Sequence, residues 1–302
     1  MDSDINVNSS WLASSVHCHW LREEMLTLLE AFANHVIDPR GGFYYLDRDF
    51  MPLAVSTRDA VSTGRLVYCF SVAQIFGVPK ADAIVDHGVT YLWNSFRDRR
   101  HGGYFWELFG NQNDPFNKKA YGHAFVLLGA AAATRCGHPV ASRLLEDVLW
   151  VIDNRFWRES DSLHVDSCTR DWSSTAPYRG QNSNMHLVEA LMLTGQVLGN
   201  TEFCDRAYRI AERIIGEFTR KNDWRLSEHY DQTWTIDRNY NQGAPDDAYR
   251  PHGSLPGHWL EWSPGFWWTS TDVTRTKAGC SKPPTSFLRR PFRKDGTPNK
   301  VD

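Results

Sequence analysis

The sequence lacks any apolar run that approaches the ~18 residues of a membrane-spanning helix. It also lacks an excess of positive charge, because 33 Lys and Arg residues stand against 36 Asp and Glu residues, for a net charge of -3. The first twenty residues contain Asp2 and Asp4 and lack the basic start and apolar stretch of a secretion signal. We therefore expect no membrane partner and no nucleic-acid partner.

Cysteine is scarce and scattered, with six residues in 302 and no CxxC spacing. This pattern predicts neither a zinc site nor a disulfide scaffold, and a reducing cytoplasm fits it best. The hydrophobic content of 41% is enough for a sizeable core. Aromatic residues are abundant (13 Trp, 16 Phe and 11 Tyr), and such rings fill a core or line a binding groove.

Helical periodicity dominates the chain. From Ser10 to about His35, apolar residues recur at steps of three and four, which is typical of an amphipathic helix. Six further helices are predicted at about 57–77, 80–96, 119–136, 139–156, 182–198 and 201–218. The sequence therefore predicts an all-α protein.

The predicted helices are of two alternating kinds. Those that begin near Ala120 and Asn184 are apolar nearly all round, as a helix enclosed by neighbours must be. Those that begin near Ala141 and Glu202 have one charged face and one apolar face, as expected of an outer layer. Helical hairpins that alternate in this way favour a double-layered ring, because each hairpin buries its apolar face against the next.

A weak internal repeat supports the ring. The segment GGFYYLD at 41–47 resembles GGYFWEL at 102–108, at an offset of 61 residues, and each precedes a predicted inner helix. Short aromatic segments after a glycine pair predict small β-hairpins at one end of the ring.

Polar residues interrupt the predicted inner helices near their beginnings: Arg65, His123, His186 and His258. In a ring whose inner helices point the same way, these side chains would meet at one end of the central cavity. Two of the histidines have a carboxylate three residues later, His186 with Glu189 and His258 with Glu261. On a helix that spacing lets the carboxylate orient the ring and raise its basicity. Satisfied core histidines, or a metal held by these four groups, are the alternatives.

Four segments resemble the N-acylglucosamine 2-epimerase superfamily, and its mannose and sulfoquinovose isomerases in particular. They are YRGQNSNMHLVEA at 178–190, RPHGSLPGHWLEW at 250–262, KAYGHAF at 119–125 and TGRLVY at 63–68. The resemblance runs from about residue 10 to residue 262.

The resemblance implies an (α/α)6 barrel and an isomerisation through a cis-enediol, with no metal and no cofactor. By this likeness His258 is an acid/base residue that Glu261 supports, and His186 holds and protonates sugar oxygens. Arg65 would bind the oxygen that becomes negative in the enediolate. Substrate binding is expected of His123, Glu189, Asn184, Tyr121 and Trp262, which lie in the same segments.

The last forty residues depart from the family pattern. Residues 263–302 have no helical periodicity and contain five prolines, so we predict a partial barrel domain at 1–262 and an irregular tail at 263–302. The family has a second acid/base histidine on the last part of its ring, which has no counterpart here. A reading-frame change near codon 263 is one hypothesis, and a short native tail is the other.

The sequence leaves three functions open. The leading prediction is an aldose–ketose isomerase of the mannose/fructose type, whose activity the altered tail impairs. The alternatives are a 2-epimerase of the N-acylglucosamine or cellobiose type and a non-catalytic sugar-binding protein. A monosaccharide is the expected partner, and a homo-oligomer is possible.

Overall fold

The computed structural model describes residues 14–110 and 114–262, and eight α-helices account for a little under half of them. The helices are α1 (Ser15–His35), α2 (Ala60–Ile75), α3 (Ala81–Tyr91), α4 (Ala120–Arg135), α5 (Ala141–Val151), α6 (Gln181–Leu198), α7 (Thr201–Ala211) and α8 (residues 256–262). Three of them, α3, α5 and α7, continue into π-helical turns at Leu92–Phe96, Ile152–Phe156 and Glu212–Phe218. A 3-10 turn follows the last of these at Arg220–Asn222. All seven predicted helices are confirmed.

The second helix begins at Ala60, about one turn after its predicted start near residue 57. Residues 58 and 59 are extended, and the carboxylate of Asp59 accepts a hydrogen bond of 2.6 Å from the backbone N–H of Ser62. A carboxylate that satisfies a free N–H of the first turn is a strong helix start. Apolar periodicity cannot locate such a cap, because the cap lies outside the periodic segment.

The predicted alternation of inner and outer helices is confirmed. Helix α4 packs against α2 on one side and α6 on the other, and 13 of its 16 residues are buried. Helix α7 buries only three residues, at one face against α6. The inner layer is therefore α2, α4 and α6, and α3, α5 and α7 cover it from outside.

In the part of the chain that the structure describes, eight two-residue strands form four antiparallel ladders. The strands are β1 (Arg58–Asp59), β2 (Glu107–Leu108), β3 (Lys118–Lys119), β4 (Trp157–Arg158), β5 (Leu163–His164), β6 (Ser167–Cys168), β7 (Arg179–Gly180) and β8 (His229–Tyr230). Strands β1, β3 and β7 directly precede α2, α4 and α6, and each pairs with a strand of the following loop: β2, β6 and β8. The ladders thus hold the N-termini of the inner helices at one end of the molecule.

A buried basic residue begins each of these three strands. Arg58, Lys118 and Arg179 are at most 9% exposed, and the steps between them are 60 and 61 residues. Arg58 binds Asp38 at 2.5 Å, and Lys118 binds Asp98 at 3.1 Å. Asp38 and Asp98 begin the two hairpins that carry the repeated glycine pairs. The repeat is therefore structural, with one basic residue and one aspartate fixing each hairpin to the next inner helix.

Helices α2 and α4 approach each other very closely at two glycines. A Cβ on Gly64 would lie 2.3 Å from the backbone oxygen of Phe125, and one on Gly129 would lie 2.9 Å from the backbone oxygen of Gly64. At the other end of the helices, Gly77, Gly137 and Gly199 turn the chain with positive φ and have nothing within 4 Å of a built Cβ. The helix contact near Arg65 is thus tight, and the distal turns are open.

The predicted tail, residues 263–302, lies outside the described residues. Its predicted irregularity and the hypothesis of a frame change therefore stay predictions.

Candidate active site

Three inner helices bring polar side chains together near their N-termini. Nη2 of Arg65 on α2 lies 3.5 Å from the hydroxyl of Tyr121 on α4, and its Cζ lies 4.3 Å from the ring centre of Phe125. The imidazole of His186 on α6 packs edge-on against Tyr121 at 5.2 Å and contacts Phe125 at 4.7 Å. Burial raises the pKa of the Tyr121 hydroxyl, which stays neutral and can donate a hydrogen bond. Arg65 and His186 thus meet around one aromatic pair.

Two carboxylates flank the His186 ring. Nδ1 of His186 lies 3.2 Å from Glu189, three residues later, as the helical spacing predicts. Nε2 lies 3.9 Å from Oε2 of Glu261, which comes from α8. Both glutamates are about half exposed. They are therefore available to accept hydrogen bonds from a hydroxylated ligand.

His258 has a different partner from the predicted one. Its Nδ1 lies 2.7 Å from Oε2 of Glu228, which is 4% exposed and precedes β8. The predicted partner, Glu261, instead extends toward His186. An i,i+3 spacing permits a contact but does not require one, and a buried carboxylate at hydrogen-bonding distance dominates over a solvated one.

Glu228 and Gln181 are functional candidates that the sequence reasoning missed. Glu228 also accepts hydrogen bonds from Gln181 Nε2 at 2.8 Å and from the Leu255 backbone N–H at 3.1 Å. Trp262 donates its indole N–H to Gln181 Oε1 at 2.6 Å. A charged residue before a short extended segment has no periodic signal, so only the composition of Ser227-Glu228-His229 could have indicated it.

His123 lies in the core, apart from the predicted site residues that line the cavity. Its ring is 1% exposed, its Nε2 accepts the backbone N–H of Tyr104 at 3.0 Å, and its Nδ1 lies 2.7 Å from the carbonyl of Lys119. Burial lowers the pKa of His123 to about 3. It is a satisfied core histidine, the alternative that the sequence had left open.

Asn184 is also a structural residue. It is fully buried, accepts the backbone N–H of His164 at 2.9 Å, and donates to the carbonyl of His164 at 3.1 Å. No polar atom of its amide remains for a substrate, because the acceptor and the donor are both engaged on β5. The structure places Asn184 away from the residues that line the cavity, and its predicted role in substrate binding stays a prediction.

A cavity of about 470 Å³ runs along the exposed side of α6 from this cluster. It is lined by Tyr68, Leu128, Met185, His186, Val188, Glu189, Met192, Leu193, Gln196, Glu261 and Trp262. Trp262 contributes its ring, because its polar N–H is committed to Gln181. Four of the predicted residues (His186, Glu189, Glu261 and Trp262) share this cavity, and His258 lies one helical turn before Glu261.

An aromatic cluster stands beside Arg65. The Tyr249 ring lies 4.9 Å from that of Trp106 and 6.1 Å from that of Tyr121, and Tyr249 is 46% exposed. The next residue, Arg250, is held by an ion pair with buried Asp166 and lies 4.2 Å over the Tyr178 ring. A fixed neighbour thus positions an exposed aromatic face close to the polar cluster.

Two other kinds of site are absent from the described residues. In residues 14–110 and 114–262, no group of three or more His, Cys, Asp and Glu side chains could hold a metal ion. Across the same part of the chain, no helix is both long and apolar enough to span a bilayer.

Comparisons with known proteins agree with this architecture. The D-mannose isomerase of Pseudomonas cannabina pv. alisalensis is 38% identical over 284 residues, which are 94% of this chain and 67% of the relative. The D-mannose isomerase of Thermobifida fusca is 38% identical over 84% of this chain and 62% of the relative. The chain thus spans about two thirds of the length of these curated relatives. At 94% coverage, the first alignment also includes part of residues 263–302.

Solved structures show the same fold. A crystal structure of D-mannose isomerase superposes with a TM-score of 0.74 at 30% identity, over 85% of this chain and 71% of that one. The cellobiose 2-epimerase of Bacillus thermoamylovorans B4167 gives 0.70 at 17% identity, over 85% and 68%, and shows the fold alone. The N-acylglucosamine 2-epimerase (GlcNAc 2-epimerase) family model matches residues 41–266. This chain therefore belongs to the N-acylglucosamine 2-epimerase family and has the (α/α)6 barrel fold of its structural relatives.

Proposed function

We propose that this protein interconverts an aldose and its ketose, of the mannose/fructose type, by proton transfer through a cis-enediolate. One observation carries the proposal: α8 supplies both His258, whose ring a buried carboxylate holds, and Glu261, which reaches the His186–Arg65 cluster. A base and a cation on facing elements are what an enediolate requires. The D-mannose isomerases among its relatives support this substrate class.

In the proposed reaction, Nε2 of His258 removes the proton from C2 of the open-chain aldose. The electron pair of that C–H bond forms the C1–C2 double bond, and the carbonyl oxygen O1 becomes negative. His258 then returns a proton to C1, the O2–H proton passes to the site, and C2 becomes the ketose carbonyl. His186 and Glu261 exchange protons with O1 and O2, so no oxidant or reductant is needed.

Arg65 is the proposed partner of the negative oxygen. Its guanidinium is exposed, carries a permanent positive charge and rests on the Phe125 ring, which limits its motion. Tyr121 can donate a second hydrogen bond beside it. A preorganised donor at a developing oxyanion contributes about 10²- to 10³-fold in rate.

The remaining carboxylates and aromatic rings near the site can recognise a sugar. The half-exposed carboxylates of Glu189 and Glu261 can accept hydrogen bonds from sugar hydroxyls. Tyr249, packed against the buried Trp106, offers an exposed aromatic face on which the C–H face of a sugar ring can stack. The mixture of carboxylates and rings suits a neutral monosaccharide.

Incubation of the purified full chain with mannose in deuterated water tests the proposal, with products followed by NMR. Fructose that carries deuterium at C1 is expected. Deuterated glucose without fructose would point to a 2-epimerase, and saturable mannose binding without exchange would point to a non-catalytic sugar-binding protein. Activity lost with EDTA would contradict the metal-free mechanism. His258→Gln is expected to abolish exchange, and His35→Gln, at an exposed position on α1, is the matched control.

A further inference from the structure

Glu228, Gln181 and Trp262 form a buried chain of hydrogen bonds that ends at His258. Glu228 is 4% exposed, Trp262 is 3% exposed, and Gln181 is fully buried. Trp262 can only donate, so its contact of 2.6 Å fixes the oxygen of the Gln181 amide on the Trp262 side. The amide nitrogen must then face Glu228 and His258.

Two hydrogen-bond donors converge on the carboxylate of Glu228. Its Oε1 accepts the Leu255 backbone N–H at 3.1 Å, and its Oε2 accepts the Gln181 amide at 2.8 Å. Donors that converge on a carboxylate stabilise its charged form. An ionised carboxylate has no proton to give, so at 2.7 Å it requires the proton on Nδ1 of His258.

The Gln181 amide disfavours a proton on Nδ1 of His258. Its nitrogen also lies 2.9 Å from Nδ1 of His258, where it could donate if that atom carried a lone pair. Two tautomers of His258 therefore compete. Glu228 favours the proton on Nδ1, and Gln181 alone would favour it on Nε2.

We propose that Glu228 is the positioning residue that fixes His258 as the Nδ1–H tautomer and leaves the Nε2 lone pair free to act as the base. Glu228 is too deeply buried to touch substrate, and it acts through the ring. Within residues 14–110 and 114–262, no hydrogen bond engages Nε2 of His258. The catalytic consequence of this assignment rests on the proposed function, but the tautomer itself does not.

The substitution Glu228→Gln tests the assignment with little change in shape. An amide at position 228 cannot hold the proton on Nδ1 against Gln181, so the tautomer is expected to switch to Nε2–H. In an active enzyme kcat/KM should fall about 10²-fold, because a general base contributes ~10²- to 10⁴-fold. The acidic limb of the pH–rate profile should move to lower pH while KM changes little. Glu146→Gln, at an exposed position on α5, is the matched control.

Nitrogen-15 NMR of the full chain, labelled at histidine, reads the tautomer directly. Nδ1 is expected to show the protonated shift in the wild type and the unprotonated shift in Glu228→Gln. A wild-type His258 protonated on Nε2, or the same tautomer in both proteins, would overturn the proposal. If Glu228→Gln does not fold, the wild-type spectrum alone decides. A wild type that shows the expected tautomer but exchanges no deuterium with mannose would refute only the proposed function.

Discussion

Nδ1 of His258 lies 2.7 Å from the carboxylate of Glu228, although 30 residues separate them in the sequence. The glutamate on its own helix, Glu261, lies instead 3.9 Å from Nε2 of His186 on a neighbouring helix. Each histidine of the site therefore receives a carboxylate from another element. This exchange ties α6, α8 and the segment before β8 into one polar unit.

Arg65→Ala should lower kcat/KM for mannose by about 10²- to 10³-fold, because the enediolate oxygen loses its cation. Arg65→Lys should recover only part of the loss, since an ammonium lacks the planar fork. The free energy of unfolding should change by less than ~0.5 kcal/mol, because the side chain is exposed. Steady-state kinetics and urea unfolding measure both effects, with Arg99→Ala as the exposed control. Equal activity of Arg65→Ala and wild type would remove Arg65 from the mechanism.

His123→Ala should act on stability and leave substrate affinity unchanged. The substitution empties a buried site against Phe156, at 4.8 Å, and leaves the Tyr104 N–H without its acceptor. We expect a loss of about 3 kcal/mol in the free energy of unfolding. Urea unfolding and KM of the folded fraction are the measurements, and His35→Ala is the exposed control. A raised KM with unchanged stability would restore His123 to the binding site.

Stability should fall as the pH falls from about 6.5 toward 3. Burial lowers the pKa of both His123 and His164 to about 3, whereas an unfolded histidine titrates near 6.5. Between these values the unfolded chain binds protons that the native chain does not, so acid favours unfolding. Each histidine contributes up to about 1.4 kcal/mol per pH unit in this window and nothing above it.

Urea unfolding at pH 7.5 and 5.5 measures that slope. The pKa values of Asp38 and Asp98 are held below their usual range by Arg40 and Arg58 and by Arg170 and Lys118. Their contribution is therefore lost only below about pH 4, outside the measured interval. His123→Gln should flatten the slope while it lowers stability. An equal slope in wild type and variant would contradict the assignment of a neutral buried ring.

The two cations that contact Asp98 should contribute differently to the free energy of unfolding. Lys118 is fully buried and also donates to the carbonyl of Gly102 at 2.8 Å, whereas Arg170 is 51% exposed. Lys118→Met should lower the free energy of unfolding by about 3 kcal/mol, and Arg170→Met by less than ~1 kcal/mol. The two variants are matched in the residue introduced, and urea unfolding compares them. Equal losses would mean that the buried ion pair does not fix the hairpin.

The helices and their two layers were predictable because they depend on local periodicity. The apolar surface of a helix such as α4 can be recognised from the sequence alone, and so can the glycine pairs of the hairpins. The pairing of Glu189 with His186 was equally accessible, since both lie on one helix. The expected convergence of Arg65 and His186 followed from the ring geometry, and the structure confirms it.

The remaining parts of the site depend on tertiary contacts that no spacing encodes. His123 and His186 occupy similar places near the starts of neighbouring helices, yet one faces the core and the other the cavity. Two residues away from His123 in either direction, Tyr121 and Phe125 do face His186, because each step along a helix rotates a side chain by about 100°. The sequence pattern gave no signal for Glu228 for the same reason. Its role depends on a contact with α8, which lies later in the chain and packs beside it.

The open turns at Gly77, Gly137 and Gly199 lie at the far ends of the inner helices, a helix length of about 24 Å from the ladders. Dyes, surface tethers or short peptide insertions introduced beside these glycines would meet no packed neighbour. The protein can therefore be immobilised or labelled at that end while its reactive end stays in solution.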